Sequence, residues 1–299
     1  MQLTGLHLLL TYQCNFECDH CFVWGSPRQT GVFALDQVDE VLRQARELGT
    51  VEWIYFEGGE PFLYYGTLLA AARLAADAGF QVGVVSNGYW AISPRDAVEC
   101  LRPFAGLIGD LSISSDLYHY DEPLSRQASD AHAAATALGI PAGFIEVAPP
   151  DAADALPAEG QLPEASSSVM YRGRAAANLT GQAALQDWVT FTTCPHEDLR
   201  EPGRVHLDPF GNLHICQGIS IGNLFRTPLR EICRAYDPAS HPITGPLLDG
   251  GPAELARRYG LSVQEGYADA CHLCYETRRA LRPRFPDVLG PGQMYGDGT

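Results

Sequence analysis

The stretch that decides the fold is residues 6–22, LHLLLTYQCNFECDHCF, in which an apolar run leads directly into three cysteines. The apolar run is typical of a buried strand. Cys14, Cys18 and Cys21 follow it with the spacing C-x3-C-x2-C. A cysteine loop after a strand can hold three corners of a 4Fe-4S cluster and leave the fourth iron open to a ligand that is not protein. A structural zinc site is the alternative, since zinc also binds closely spaced thiolates.

The composition limits the class of protein. Its 299 residues, of which 46% are hydrophobic, are enough for one large α/β domain, or for such a domain with a smaller appendage. The net charge of −16 argues against a nucleic-acid partner, because phosphate binding needs a cationic surface. All 20 basic residues are Arg. The lack of lysine excludes chemistry that needs a Schiff-base lysine or a Walker lysine.

The sequence carries no sign of secretion or of a membrane span. The residues after Met1 have no basic region or signal cleavage site, and no apolar run reaches 18 residues. We therefore expect a cytoplasmic protein without a membrane partner. Nine cysteines in a reducing compartment indicate metal or redox use in place of disulfides.

Strand patterns alternate with amphipathic helix patterns between residues 6 and 148, which predicts a parallel sheet built from βαβ units. The predicted strands are Leu6–Thr11, Glu52–Phe56, Gln81–Ser86, Leu107–Ser114 and Ala142–Ala148, with a sixth at Ser167–Tyr171. The predicted helices are Asp36–Leu48 (capped by Asp36 and ended by Gly49), Tyr64–Ala78, Ser93–Leu101 and Ser125–Leu138. Right-handed crossovers between six parallel strands predict an α/β fold, a partial (β/α)6 barrel like a TIM barrel.

The pattern changes after about residue 185, so we predict a barrel domain over 1–185 and a smaller domain over 186–299. In the smaller domain, Arg204–Asp208 and Asn212–Cys216 predict a β-hairpin. Two helices are predicted after it, at Leu229–Tyr236 and Asp269–Arg282. Residues 149–160 are rich in Pro, Ala, Asp and Glu, which predicts a surface loop that could cover the barrel mouth.

Polar residues end several predicted strands, where sites form in parallel α/β sheets. The second, third and fourth strands end in Glu57-Gly58-Gly59-Glu60-Pro61, Ser86-Asn87-Gly88 and Ser112-Ile113-Ser114-Ser115-Asp116. Glycines there let the backbone approach a ligand closely. Each of these segments, taken alone, also fits an ordinary polar turn.

Together with the cysteine spacing, these segments resemble the motifs of the radical S-adenosylmethionine (SAM) superfamily, whose members bind SAM at the open iron of a 4Fe-4S cluster. The resemblance is strongest in the cysteine loop and in the Gly-Gly-Glu sequence one βα unit later. The residues to which it assigns a contact with the cofactor are His20, Gly58, Gly59, Glu60, Asn87, Ser114, Asp116 and Arg174.

The resemblance also implies how some of these residues act. Glu60 belongs to the motif that accepts from the SAM ammonium group, and Ser114 and Asp116 to the strand end that binds the ribose. Arg174, within Arg-Gly-Arg-Ala, would pair with the SAM carboxylate, which a guanidinium fork matches. His20 stands where the family has an aromatic residue against adenine. For His20 and Arg174, roles as a filler and as a solvated side chain are the alternatives.

A second set of cysteines follows in the smaller domain, with the pattern C-x21-C-x54-C-x2-C. Its members are Cys194, Cys216, Cys271 and Cys274. Four thiolates are a full ligand set for a 4Fe-4S cluster, and zinc is the alternative. The arrangement resembles the twitch domain, a shortened SPASM domain that carries one auxiliary cluster. Cys100 and Cys233 are expected to be buried structural thiols; a hydrogen-donor role for Cys233 is the sharper alternative.

The family resemblance implies a radical enzyme. Electrons from an external donor such as a flavodoxin or ferredoxin would reduce the first cluster, and SAM cleavage would yield a 5′-deoxyadenosyl radical that takes a hydrogen atom from the substrate. A fully ligated auxiliary cluster favours net oxidation of a small metabolite, because it can accept an electron. The chain opens at its first strand, so we expect no leader-recognition domain, and a peptide or protein substrate is the alternative. An iron-sulfur electron carrier and a zinc-stabilised binding module are the competing classes.

Overall fold

The computed structural model describes residues 1–150 and 166–298. The strands are β1 (Gly5–Thr11), β2 (Trp53–Gly58), β3 (Gln81–Ser86), β4 (Asp110–Ser114), β5 (Ala142–Ala148), β6 (Ser166–Ser168), β7 (Gln186–Asp187), β8 (Arg204–Leu207), β9 (Asn212–Cys216), β10 (Ile219–Asn223) and β11 (Gly266–Tyr267). The helices are α1 (Leu35–Leu48), α2 (Tyr65–Asp77), α3 (Pro94–Leu101), α4 (Arg126–Ala137), α5 (Arg174–Asn178), α6 (Leu229–Ala235), α7 (Thr244–Arg258) and α8 (Ala270–Leu281). None of the described helices is both long and apolar enough to cross a bilayer.

One sheet organises the molecule, with the strand order β10-β9-β8-β1-β2-β3-β4-β5-β6. The strands β1 to β6 run parallel in chain order, and β8 pairs parallel with β1 on the other side. Between the described residues, no pairing joins the two ends of this order, β10 and β6. The α/β fold with six successive parallel strands is therefore confirmed, and the barrel is open.

The predicted elements of the first half form because apolar side chains fall at the right period. All seven residues of β1 are buried, as expected for a strand covered on both faces. Ser93 and Ser125 cap α3 and α4 by accepting a hydrogen bond from the third residue of each helix. The cap of α1 was predicted wrongly: its N-cap is Ala34, whose N–H donates to the Gln37 side chain at 2.9 Å, and Asp36 lies inside the helix.

The second half extends the same sheet. The predicted hairpin is confirmed as β8 and β9, which are antiparallel, and α6 and α8 match the two predicted helices within one residue at each end. The helix α7 and the strand β10 were not predicted. Gly250 and Gly251 have non-helical backbone angles inside α7 and Pro252 follows them, so the helical period is broken there. Most of the segment predicted as a surface loop, 151–160, lies outside the described residues.

Candidate functional site: two cysteine centres and the barrel cavity

A cavity of about 220 Å³ opens at the carboxyl ends of the barrel strands. The cysteine loop after β1 forms one wall, and residues from β1, β2, β3, β4, β5, β6 and β8 contribute to the others. The predicted site residues that line it are Cys14, Cys18, Cys21, His20, Gly58, Gly59, Asn87 and Ser114. Glu60, Asp116 and Arg174 are not among its lining residues and support those that are.

The three cysteines of the loop share this cavity. Backbone N–H groups of Phe16 and Gly25 donate to the sulfurs of Cys14 and Cys21 at 3.3 and 3.2 Å. Burial, together with the nearby Glu60 and Cys21, raises the pKa of the Cys14 thiol to about 12. Burial and the other two thiols likewise raise the pKa of Cys18. Three thiols this close resist joint ionisation unless a cation neutralises them, so the donor set fits an iron-sulfur cluster held at three corners.

The Gly-Gly-Glu segment holds the cysteine loop against β2. Gly58 has a φ of 131°, and a Cβ on Gly59 would overlap the carbonyl of Gln13. Gly59 N–H donates to the Thr11 carbonyl at 2.7 Å, and Glu60 N–H to that of Gln13 at 2.9 Å. These glycines are therefore required for the close approach of the β2 end to the cysteine loop. Their backbone, without side chains, forms part of the cavity wall.

The Glu60 carboxylate accepts hydrogen bonds from other groups of the protein. It accepts from Phe62 N–H at 2.9 Å, from the Ser86 hydroxyl at 3.0 Å and from Asn87 N–H at 2.8 Å. Burial raises the pKa of Glu60 to about 7 against these hydrogen bonds. The predicted contact of Glu60 with the SAM ammonium group stays a prediction, and the observed bonds tie the end of β2 to the end of β3.

Asn87 reaches back to the cysteine loop. Its amide Nδ2 donates to the side chain of Asn15 at 2.9 Å and lies 3.8 Å from the sulfur of Cys14. The Tyr120 hydroxyl donates to the Asn87 carbonyl at 2.8 Å. Asn87 therefore stands beside the first cysteine of the loop, where the family resemblance assigns a cofactor contact.

Asp116 organises the turn after β4. Its Oδ1 accepts from the backbone N–H of Tyr118 at 3.0 Å and of His119 at 3.1 Å, and contacts the His119 ring at 2.8 Å. Its Oδ2 accepts from Val147 N–H at 3.2 Å. Both oxygens are thus bonded within the protein. The neighbouring Ser114 does line the cavity, so of this pair only Ser114 faces it, and the contact of both residues with the ribose stays a prediction.

His20 lies at the edge of the cavity among aromatic rings. Its ring centroid is 4.6 Å from that of Tyr118 and 5.0 Å from that of His119. Burial lowers the pKa of His20 to about 4, so the ring is neutral at pH 7. A neutral, partly covered ring at this edge is compatible with the predicted contact to adenine.

Arg174 stabilises the cysteine loop by hydrogen bonds to its carbonyl groups. Its guanidinium donates to the carbonyls of Cys18 at 2.8 Å and Gly25 at 2.7 Å, and its backbone N–H donates to Cys21 at 2.9 Å. Gly173 has a φ of 61° and packs against Cys21 and Phe22, where a Cβ would be crowded. The predicted contact with the SAM carboxylate stays a prediction, and the observed bonds make Arg174 a positioning residue.

The second cysteine set also comes together. Cys194, Cys216, Cys271 and Cys274 line one small cavity enclosed between β9, α7 and α8. Burial, with Cys216 and Cys274 nearby, raises the pKa of Cys194 to about 12. The buried Arg278 lines the same cavity and donates to the Cys274 carbonyl at 3.3 Å. Four converging thiols fit a cluster or a zinc ion with four protein ligands, and this donor set leaves the two alternatives open.

Arg172 connects the two centres, and sequence reasoning noticed it only as part of a motif. Its side chain lines both cavities and lies 3.5 Å from the sulfur of Cys216 and 3.3 Å from Glu197. Its guanidinium also lies 5.6 Å from the ring centroid of Phe22, next to Cys21 in the chain. Burial disfavours its charge, but the nearby Cys216, Glu197 and Cys271 keep its pKa raised.

Sequence reasoning also missed a cluster of His7, Glu57 and His206 on the cavity wall. They lie on the adjacent strands β1, β2 and β8. The signal was available in the sequence, because polar residues at inward positions of otherwise apolar barrel strands are unusual. Only the pairing of β8 with β1, which sequence could not supply, brings His206 to the other two.

Cys233 lies away from both centres. Its side chain is 3% exposed and packs in the hydrophobic core shared with α1, among residues such as Val41 and Leu229. Among the described residues, the only cysteines lining the barrel cavity are those of the first loop. The prediction of a buried structural thiol fits this placement, whereas a hydrogen-donor role for Cys233 finds no support in it.

Comparison with known proteins covers part of the chain. Residues 8–114 match the family model of the radical SAM superfamily. The chain is 32% identical over 111 residues to YydG of Bacillus subtilis (strain 168), a protein named for peptide biosynthesis; the match covers 37% of this chain and 35% of YydG. It is 29% identical over 90 residues to an S-adenosylmethionine-dependent nucleotide dehydratase of Selenomonas ruminantium, covering 30% of this chain and 32% of the dehydratase.

The chain thus spans about a third of the length of these two curated relatives. Among solved structures, native anSMEcpe with bound AdoMet is similar with a TM-score of 0.50 and 11% sequence identity. That similarity covers 94% of this chain and 98% of the other, and at this identity it is a likeness of fold.

Proposed function

The chain belongs to the radical SAM superfamily through its domain at residues 8–114, and from that premise we propose that it oxidises a small metabolite by a radical route. A 4Fe-4S cluster and SAM, when bound, would supply a 5′-deoxyadenosyl radical that takes a hydrogen atom from the substrate. The protein would bind and orient both partners and exclude water from the cavity.

The observation that carries the proposal is the shared cavity of Cys14, Cys18 and Cys21. Among the described residues no fourth cysteine lines this cavity, so three thiols leave one corner of a cluster free, and that corner would face the cavity. The backbone of Gly58 and Gly59 and the side chains of Asn87 and Ser114 line the same space, so SAM and a substrate could meet there. An electron carrier would need no such cavity.

The four-cysteine centre supports a net oxidation. A cluster with four thiolate ligands has no free iron for a substrate, so we assign it the role of taking up the electron left on the substrate. Arg172, which reaches both centres, supplies a continuous protein path between them. An external donor such as a flavodoxin or ferredoxin would reduce the first centre.

A peptide is the second candidate substrate. It is favoured by the match to YydG, whose name refers to peptide biosynthesis. That match covers 37% of this chain and 35% of YydG, so a peptide stays the second candidate.

Anaerobic reconstitution with iron and sulfide, followed by dithionite and SAM, tests the proposal. We expect 5′-deoxyadenosine from the wild-type protein and none when Cys14, Cys18 and Cys21 are replaced by Ala. Cys100→Ala, a thiol outside both centres, is the matched control and should retain cleavage.

Two results would overturn the proposal. A reducible cluster without SAM cleavage would identify an electron carrier, and stoichiometric zinc without iron would identify a zinc-stabilised module. Transfer of deuterium from a labelled candidate metabolite or peptide into 5′-deoxyadenosine would then decide between the two substrate classes.

A further inference from the structure

His7, Glu57 and His206 form a polar cluster on the wall of the barrel cavity. His7 pairs in register with His206 of β8, and Glu57 lies on β2, the other neighbour of β1. All three side chains line the cavity, and Glu57 is 6% exposed. A buried carboxylate between two imidazoles is costly to maintain unless its oxygens are satisfied.

The three ligand atoms converge on one point. Glu57 Oε1 lies 2.9 Å from His206 Nε2 and 3.4 Å from His7 Nδ1, and the three atoms all lie within 4.8 Å of one another. Ligands bound at about 2.0–2.2 Å around one zinc-sized ion are separated by roughly 3.0–3.5 Å, so the 3.4 Å separation fits a shared ion and the 2.9 Å separation is slightly shorter.

Hydrogen bonding alone does not account for this arrangement. Despite the short contacts, Glu57 Oε1 is buried and has no hydrogen-bond partner of acceptable geometry among the described residues. The two imidazole nitrogens lie close to this oxygen, but neither makes a well-aligned hydrogen bond to it.

A second cluster in the same barrel provides the contrast. His20, Asp116 and His119 also place three ligand atoms within 4.8 Å of one another. There, however, both oxygens of Asp116 accept hydrogen bonds, three of them from backbone N–H groups. The carboxylate of the Asp116 cluster is satisfied without an ion, although Nδ1 of His20 there is buried without a hydrogen-bond partner in the described part of the chain, whereas the carboxylate of the Glu57 cluster has an unsatisfied buried oxygen.

We propose that His7, Glu57 and His206 bind one divalent transition-metal ion, such as Zn²⁺, Mn²⁺ or Fe²⁺, separately from the two cysteine centres. Two imidazoles and one carboxylate are a common ligand set for these ions and leave coordination positions open. The open positions face the cavity, so the ion would bind an oxygen of the substrate, such as a carboxylate, phosphate or carbonyl oxygen. The site would thereby fix the substrate in the cavity.

Titration of the reconstituted, chelator-treated protein with Mn²⁺, followed by room-temperature EPR, tests the site. Bound Mn²⁺ loses its free six-line signal, and we expect one tight site per chain. Glu57→Gln should weaken binding by more than tenfold, because even outer-shell changes at metal sites reach that size. Asp116→Asn and His132→Gln are the matched controls and should bind Mn²⁺ as the wild type does.

Pulsed EPR of the bound Mn²⁺ adds a readout that does not depend on affinity or activity. We expect nitrogen couplings from imidazole in the wild type and fewer of them in His206→Gln, whose fold is checked by its iron content and circular dichroism. Replacement of Cys14, Cys18 and Cys21 by Ala should leave the Mn²⁺ site intact. Equal Mn²⁺ binding in wild type and Glu57→Gln, or bound Mn²⁺ without nitrogen couplings, would refute the metal site.

Discussion

The two cysteine centres differ in the number of thiols and in what surrounds them. The first has three thiols on the wall of a cavity of about 220 Å³, and the second has four thiols in a small enclosed space. Each thiol count agrees with its surroundings, because a cluster that must bind a ligand needs both a free corner and room beside it. Under the proposed function, the chemical step would take place at the first centre and electron uptake at the second.

Removing one thiol of the first centre should have the largest effect. We expect Cys18→Ala to reduce SAM cleavage to background, because two thiols cannot hold the cluster beside the cavity. Liquid chromatography of 5′-deoxyadenosine formed under dithionite measures it. The second centre should still take up its iron, about four atoms per chain, and loss of iron from both centres would mean that the centres do not assemble independently.

Removing one thiol of the second centre should separate cleavage from turnover. In Cys271→Ala we expect SAM cleavage within a few-fold of the wild type but little oxidised product, because the substrate radical loses its electron acceptor. The measurement is the ratio of product to 5′-deoxyadenosine. If the ratio is unchanged, the second centre is structural, and zinc in place of iron would be its natural occupant.

Sequence could predict the two cysteine sets because each depends on residue type and local spacing. The strand order of the barrel was also predictable, since buried strands alternate with helices whose ends carry signals such as Ser93 and Ser125. What could not be predicted depends on distant pairings. The parallel pairing of β8 with β1 brings His206 beside Glu57, and no local pattern encodes it.

The same dependence on distant contacts explains why the hydrogen bonds of Glu60 and Arg174 could not be predicted. Their residue types suit a ligand contact, so sequence assigned them to SAM. In the structure the Glu60 carboxylate accepts a hydrogen bond from Asn87 N–H, and the Arg174 guanidinium donates one to the Cys18 carbonyl, among other bonds. Only tertiary contacts determine these partners. Residue type therefore selected residues that lie in or around one cavity, without separating side chains that face the cavity from those that hold its walls.

Arg172 is the residue between the two centres, and its charge should tune the second. We expect Arg172→Gln to lower the reduction potential of that centre by on the order of 50 to 100 mV, since a positive charge beside Cys216 is removed. The expected consequence is less product for each SAM cleaved. Potentiometric EPR measures the shift, and Arg172→Lys, which keeps the charge, is the matched control. An unchanged potential in Arg172→Gln would leave Arg172 with a packing role only.

Cys233 belongs to neither centre, so its replacement should have the smallest effect. We expect Cys233→Ala to cost about 1 kcal/mol of unfolding free energy, the size typical of a small buried truncation, because the thiol packs in the core beside α1. Iron content, SAM cleavage and product formation should match the wild type, with denaturant unfolding as the measurement of stability. A variant that cleaves SAM but forms no product would instead identify Cys233 as a hydrogen donor, and would require the chain to move this buried thiol into the cavity.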